Sequence, residues 1–236
     1  MIDAELPFAG HPTIGTLSYA LGTLAQGATK GRLHIPAGTV EAEFAANVAK
    51  AAIPHNVHLH REEPFSAADV EALQPALQGR SKSVLGIDTV SPVLGMNFVC
   101  VELEDLETLA VVECTGRRPA VKLDREWDVG FVGALFYVRI GEEDENGGKR
   151  VKLRTRMIEG NLEDPATGSA SCALSAFLSL KGREKRVDYE LTQGVEMGRQ
   201  SDIGISVTLN DALDGVERLE MSGSSVRVME GKVEYE

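Results

Sequence analysis

The sequence predicts an α+β protein built from two similar halves, each a mostly antiparallel, curled sheet around one central helix. Three observations support this fold: an internal repeat, two helical segments that lack charge, and strand-like alternation over much of the remaining chain. The 236 residues suffice for one large or two small domains. We place the boundary near Val90, giving a first half-domain over residues 1–90 and a second domain over residues 91–236, whose last strands return to the first.

The repeat relates residues 10–21 to residues 163–174, with His11 lying over Asp164. Self-similarity of this kind indicates two copies of one supersecondary unit. Each copy carries a proline where a helix is expected to begin, and proline is well tolerated at the first helical position. Asp164 precedes its proline and is a favoured N-cap, whereas His11 is a weaker one.

Both repeat segments continue as helices without charge until Lys30 in the first and Lys181 in the second. A helix with no charged face is expected to be buried on all sides. Small residues such as Gly, Ala, Ser and Cys allow neighbouring elements to approach closely. The pattern predicts a helix that passes through the middle of a sheet or barrel.

Alternating polar and apolar residues over 151–157 predict a half-buried strand. It is expected to pair with residues 135–140 across the polar turn at 141–148. The other predicted elements are short strands at 84–87, 98–103, 111–114, 203–209 and 226–229, and surface helices at 66–77 and 105–111.

Composition narrows the classes of partner. A net charge of −12 and an isoelectric point near 5.0 argue against binding to nucleic acid or to anionic membranes. Three widely spaced cysteines without a zinc-binding pattern suggest reduced thiols. Neither a signal peptide nor an apolar membrane span is visible, so we expect a cytoplasmic protein.

The two helix N-termini are expected to face one cleft if the halves are related by an approximate two-fold axis. Free backbone N–H groups and the positive ends of the helix dipoles would form an anion site there, suited to a small carboxylate. The polar side chains brought to it would be His11, Asp164, Thr167 and Ser169, with Thr16 opposite. An imidazole and a carboxylate can transfer a proton. The alternative is that Asp164 is only a cap and His11 only a turn residue.

Three motifs resemble those of PhzF-like phenazine-biosynthesis proteins, which share the diaminopimelate-epimerase type of fold. Residues 5–13 (ELPFAGHPT) are similar to the first signature and residues 163–170 (EDPATGSA) to the second, which is highly specific. Residues 193–199 (QGVEMGR) are similar to the third, and the segment from Ser222 to Gly231 resembles the closing strand pair. The resemblance covers nearly the whole chain.

The resemblance implies an isomerase that acts by proton transfer without metal or organic cofactor. In the phenazine enzyme the substrate is a dihydro-hydroxyanthranilate. His11 and Asp164 match family positions that bind substrate or move the proton. The positions that the resemblance assigns to substrate binding are Gly10, Thr167, Gly168, Ser169, Gly198 and Arg199, the last as a support of the site.

The sequence departs from the family at its beginning. The family's first signature is preceded by several strands and by a glutamate that serves as general base, whereas here the motif begins at Glu5. The resemblance therefore implies that the first barrel, over residues 1–90, is incomplete. We expect either an incomplete chain or a shortened homologue that forms a homodimer over the open sheet edge. The alternative to an isomerase is a non-catalytic protein that binds small carboxylates.

A metal site is the other hypothesis that the sequence raises. His55, His58 and His60 are closely spaced, and His58 and His60 would share one face of a strand. Because no matching cysteine or carboxylate pattern accompanies them, a solvated strand is favoured and no metal is predicted.

Overall fold

The computed structural model describes residues 6–25, 27–145 and 148–232. Strands predominate, and the α+β prediction is confirmed. The helices are α1 (Gly10–Tyr19), continued by a π-helical turn (Ala20–Leu24), α2 (Ala67–Leu73), α3 (Leu106–Ala110) and α4 (Gly168–Gly182). None of the helices in these ranges has the length and apolar character needed to cross a bilayer.

The strands in the described ranges belong to one hydrogen-bonded sheet. They are β1 (Lys30–Ile35), β2 (Gly38–Ala45), β3 (Val48–Ala52), β4 (His58–Leu59), β5 (Val84–Val93), β6 (Met96–Leu103), β7 (Phe131–Glu145), β8 (Gly148–Glu159), β9 (Leu162–Asp164), β10 (Arg186–Gln193), β11 (Ser201–Leu209) and β12 (Val216–Gly223).

The sheet is mostly antiparallel and is not closed. Its order is β1-β2-β3-β12-β11-β10-β8-β7-β6-β5-β4, with β9 beside β8. The pairs β6–β7 and β8–β10 are parallel. Strand β12, from the end of the chain, pairs with both β11 and β3 and so joins the late strands to the early ones. The predicted domain boundary near Val90 falls inside β5, and the division into two domains stays a prediction.

The two central helices differ in their surroundings. Helix α4 packs against β5, β6, β10, β11 and β12, and every residue from Gly168 to Ser179 is buried. Helix α1 packs against β2, β3 and β12, and only one of its flanks is covered, so Thr16 and Tyr19 are exposed. The prediction of burial on all sides is right for α4 and wrong for α1, because strands line only one side of α1.

The predicted helix starts were wrong in both copies of the repeat. Helix α1 begins at Gly10, so Pro12 is its third residue. Proline is tolerated there because the first four N–H groups of a helix lack an intrahelical partner. Helix α4 begins at Gly168 with Thr167 as N-cap, so Pro165 lies outside the helix and Asp164 is not its cap.

Of the other predicted elements, the surface helices and one hairpin are present, and two short strands are absent. The hairpin β7–β8 and the two surface helices are confirmed, and α2 carries a capping box between Ser66 and Asp69. The bounds of the polar turn predicted at 141–148 are wrong, because residues 141–145 continue β7 and pair with β8. The predicted strand at 111–114 is wrong, because the Gln74 side chain instead binds the N–H and the carbonyl oxygen of Glu113. The predicted strand at 226–229 is also wrong: these residues extend along the surface, where Val226 is 84% exposed.

Candidate active site

Helices α1 and α4 meet at their first residues, Gly10 and Gly168. A Cβ atom on Gly10 would lie 2.8 Å from the backbone nitrogen of Gly168, and one on Gly168 would lie 2.8 Å from the Cα of Gly10. Because real Cβ atoms do not approach backbone atoms so closely, only glycine at both positions permits this contact. The free N–H groups and positive dipole ends of both helices therefore meet in one place.

His11, the second residue of α1, bonds to the loop that precedes α4. Its Nδ1 lies 2.8 Å from the carbonyl oxygen of Ala166. Because a carbonyl oxygen only accepts hydrogen bonds, Nδ1 carries the proton in the neutral ring. The lone pair is then on Nε2, and the exposed imidazole can accept a proton through that atom.

Asp164 holds the loop before α4. Its Oδ1 accepts a hydrogen bond from the Ala166 N–H at 3.1 Å, and its Oδ2 accepts one from the Thr167 hydroxyl at 2.8 Å. An aspartate that binds backbone groups two residues further on is a common turn former. The carboxylate thus shapes the segment that leads into the helix.

Gln193, the last residue of β10, supports the same loop from behind. Its Nε2 donates to the Asp164 carbonyl oxygen at 2.6 Å and to Thr167 Oγ1 at 2.9 Å, while its Oε1 accepts from the Thr167 N–H at 3.2 Å. Gly194 follows with a φ of 77°, and a Cβ there would lie 2.9 Å from the Pro165 carbonyl oxygen. Gln193 was not predicted as a site residue, and its only signal in the sequence is its place at the start of the third motif.

A cleft of about 320 Å³ opens beside these helix ends. His11, Ala166 and Gly168 form one part of its wall, and the remainder comes from β11, β12 and the segment that follows β12. Helix α1 also contributes Ile14, and Gln200 lies just before β11. The other residues are Ser201, Asp202, Ile203, Met221, Ser222, Gly223, Ser224, Ser225 and Val226.

Two of the residues along the cleft are titratable, His11 and Asp202. Asp202 Oδ1 accepts hydrogen bonds from the Thr192 hydroxyl and from Gln200 Nε2, each at 3.2 Å. Lysine and arginine are absent from the described wall, so an anion entering the cleft would depend on helix ends and hydroxyl groups. Asp202 was not predicted as a site residue, because it follows the third motif at a position that no sequence pattern marks.

Other predicted site residues lie around the cleft rather than along it. Thr167 and Ser169 are buried behind Gly168 in the first turn of α4. Gly198 and Arg199 belong to the turn after β10, where the Arg199 N–H donates to the Gly194 carbonyl oxygen at 2.8 Å. Thr16 is exposed on α1 and does not line the cleft. Glu5 lies outside the described residues.

His58, His60 and Asp124 form the cluster that could hold a metal, with ligand atoms within 4.8 Å of one another. Those atoms already have partners. His58 Nε2 lies 2.7 Å from Asp124 Oδ2, while His60 Nδ1 accepts the Asp124 N–H and its Nε2 donates to the Ser91 hydroxyl. Burial, together with the neighbouring His58, lowers the pKa of His60 against the opposing effect of Asp124. These hydrogen bonds join His58 on β4, and His60 just after it, to the segment that contains Asp124.

Comparison with known proteins identifies a family match and a related protein. Residues 3–231 match the family model PhzC-PhzF, described as phenazine biosynthesis-like protein. The chain is 27% identical to an uncharacterized isomerase of Mesorhizobium japonicum, over 98% of this chain and 77% of the relative.

Two solved structures show the fold. A PhzF-family phenazine biosynthesis protein of Bacillus anthracis has a TM-score of 0.73 at 19% identity, covering 98% of this chain and 77% of the other. A predicted epimerase of Pseudomonas aeruginosa has a TM-score of 0.62 at 20% identity, covering 95% and 73%. The family match spans both helix starts and the loop that Gln193 supports. The chain therefore belongs to the PhzC-PhzF family of phenazine biosynthesis-like proteins.

Proposed function

We propose that this chain is a cofactor-independent isomerase that moves a proton on a small carboxylate substrate in the cleft beside the starts of α1 and α4. The observation that carries the proposal is the contact between Gly10 and Gly168, which brings two helix N-termini to one point. Converging N–H groups favour an anion, and the substrate carboxylate is the anion that they would hold. The relative named as an isomerase is consistent with this class of reaction.

His11 is the group that we propose to accept the proton. Its Nδ1–H is bound to Ala166, which leaves Nε2 as the basic atom of the neutral ring. Histidine is the side chain that enzymes use most often as a general acid or base. Asp202 lies along the same cleft and is the candidate for the second proton-carrying group.

Hydrogen–deuterium exchange at carbon tests the proposal. A panel of small carboxylates in D₂O is followed by mass spectrometry, and we expect deuterium uptake with the wild type. His11→Gln should reduce the rate by about 10²–10⁴-fold, the usual contribution of a general base. His34→Gln is the control, because His34 is an exposed histidine on β1 whose ring contacts Thr39. Absence of exchange across the panel would contradict the proposal.

A second candidate is a protein that binds small carboxylates without turnover. The observation that favours it is that both carboxylate oxygens of Asp164 accept hydrogen bonds from their own loop. This candidate predicts saturable binding by calorimetry without exchange at carbon, and loss of binding when Ser169 or Asp164 is replaced. Binding together with exchange would exclude it.

We also propose a cytoplasmic homodimer. Cys100 and Cys172 are buried, free thiols, and burial raises the pKa of both, as expected for unreactive cysteines in a reducing compartment. We infer the dimer from β1, which is an edge strand of the described sheet. The backbone N–H and C=O groups on its outer side can pair with a strand of a second chain. A light-scattering mass equal to one chain at working concentrations would contradict the dimer.

A further inference from the structure

We propose that Gln193 is a positioning residue that sets the tautomer of His11 through the loop at residues 164–167. The catalytic meaning of the inference rests on the proposed function, since a proton fixed on Nδ1 makes Nε2 the base. The geometric part rests on hydrogen bonds alone. The side chains of Gln193 and His11 share no hydrogen bond. The loop residue Ala166 connects them, because its carbonyl oxygen bonds to His11 and its loop is held by Gln193.

The side-chain amide of Gln193 can adopt only one orientation. The residue is fully buried, with 0% exposure, and both its donor and its acceptor groups are engaged. Its Nε2 faces two oxygen atoms, from Asp164 and Thr167, and its Oε1 faces the Thr167 N–H. Rotating the amide by 180° would place oxygen against oxygen and N–H against N–H, so the native orientation is fixed.

The hydrogen bonds of Gln193 hold both ends of the loop at residues 164–167. Gln193 binds the carbonyl of Asp164 at one end and two groups of Thr167 at the other. Within the loop, the Ala166 N–H is held by Asp164 Oδ1, and Pro165 packs against Gly194. Ala166 thus lies between fixed points, and its carbonyl oxygen is aimed at α1.

The loop held in this way determines which nitrogen of the His11 imidazole ring carries the proton. The Ala166 carbonyl oxygen lies 2.8 Å from His11 Nδ1, a hydrogen-bond distance that requires one donor. If the proton were on Nε2, two acceptors would face each other at that distance. The carbonyl therefore selects the Nδ1–H form, as second partners commonly do for functional histidines.

Nitrogen-15 NMR of the histidine rings tests this pathway without any substrate. The protein is labelled with ¹⁵N-histidine, and His11 is assigned by the signals that disappear in His11→Gln. At a pH where the ring is neutral, we expect the wild type to carry the proton on Nδ1. In Gln193→Met, which keeps the size of the side chain and removes its hydrogen bonds, His11 should lose this single form and show a mixture of both tautomers.

Gln74→Met is the matched control. Gln74 is also a glutamine with 0% exposure, and its amide clamps the backbone of Glu113 through two hydrogen bonds, far from His11 in the sequence. This variant should lose stability in the same way and leave the His11 tautomer unchanged. If Gln193→Met does not fold, Gln193→Asn serves instead, since it is one methylene too short to reach the Asp164 carbonyl.

Two results would overturn the proposal. One is a wild-type protein whose neutral His11 carries its proton on Nε2, which needs no variant to establish. The other is a folded Gln193 variant that keeps the Nδ1–H form. Neither result depends on exchange at carbon, so failure of the proposed function and failure of this positioning role are separate outcomes. Where exchange is detected, Gln193→Met should lower kcat more than it raises KM.

Discussion

Helices α1 and α4 begin at the same point in the molecule and then lie in different environments. Residues 168–179 of α4 are all buried, whereas α1 buries Gly10, Thr13, Ile14, Leu17 and Ser18 and leaves its other flank open. Both helices are rich in small and apolar residues, so the composition of a helix does not by itself fix its burial. The number of strands that surround each helix makes the difference.

The largest expected effect tests the buried helix against the half-exposed one. Leu174→Ala removes a fully buried side chain from α4 and should lower the free energy of unfolding by about 2–5 kcal/mol. Tyr19→Ala removes a side chain of α1 that is 48% exposed and should cost much less. Urea denaturation measures both values. Equal losses would show that the open flank of α1 is covered in solution.

An intermediate effect is expected where the two helices meet. Gly10→Ala places a methyl group against the backbone of Gly168 and should cost about 1–3 kcal/mol, because backbone atoms must move apart.

Gly15→Ala is the control on the same helix, since a Cβ there meets nothing within 4 Å. It should stabilise α1 by up to about 1 kcal/mol through helix propensity. If Gly10→Ala behaved like Gly15→Ala in thermal denaturation, the close contact of the helix starts would be refuted.

The smallest effect concerns pH and lies outside both helices. Because burial lowers the pKa of His60 below 6.5, the unfolded chain takes up a proton at pH values where the folded protein keeps His60 neutral. Stability from this residue is therefore present above that value and lost as the pH falls below it. Urea denaturation from about pH 7.5 to 5.5 should show a steeper loss for wild type than for His60→Gln. Parallel slopes would contradict this account.

The sequence predicted those parts of the fold that depend on local periodicity. Alternation over residues 151–157 predicted β8 and its hairpin, and the uncharged segments predicted both central helices. The short strand predicted at residues 226–229 failed, because a strand also needs a pairing partner and these residues join no strand of the sheet. The strand predicted at 111–114 failed for a related reason, since Gln74 had already bound Glu113.

The sequence predicted which residues lie near one another at the candidate site, but it did not predict the hydrogen bonds that they make. The motifs brought His11, Asp164 and Gly168 to one place, as the structure also does. Which group Asp164 binds depends on whether the helix starts at Pro165 or at Gly168, and the sequence pattern allows both. Gln193 was missed because a buried amide is recognised only by its partners, which lie 26 and 29 residues away in the chain.

The pairing of β3 with β12 has a consequence for biosynthesis. Ala52 pairs with Glu220, so one edge of β3 has to wait until a strand 168 residues later has left the ribosome (220 − 52 = 168). At about 5–20 residues per second, that delay is on the order of 10 s. During translation the hairpin of β2 and β3 exposes this edge until β12 is available. We expect the nascent chain to offer the exposed edge to chaperones during that interval.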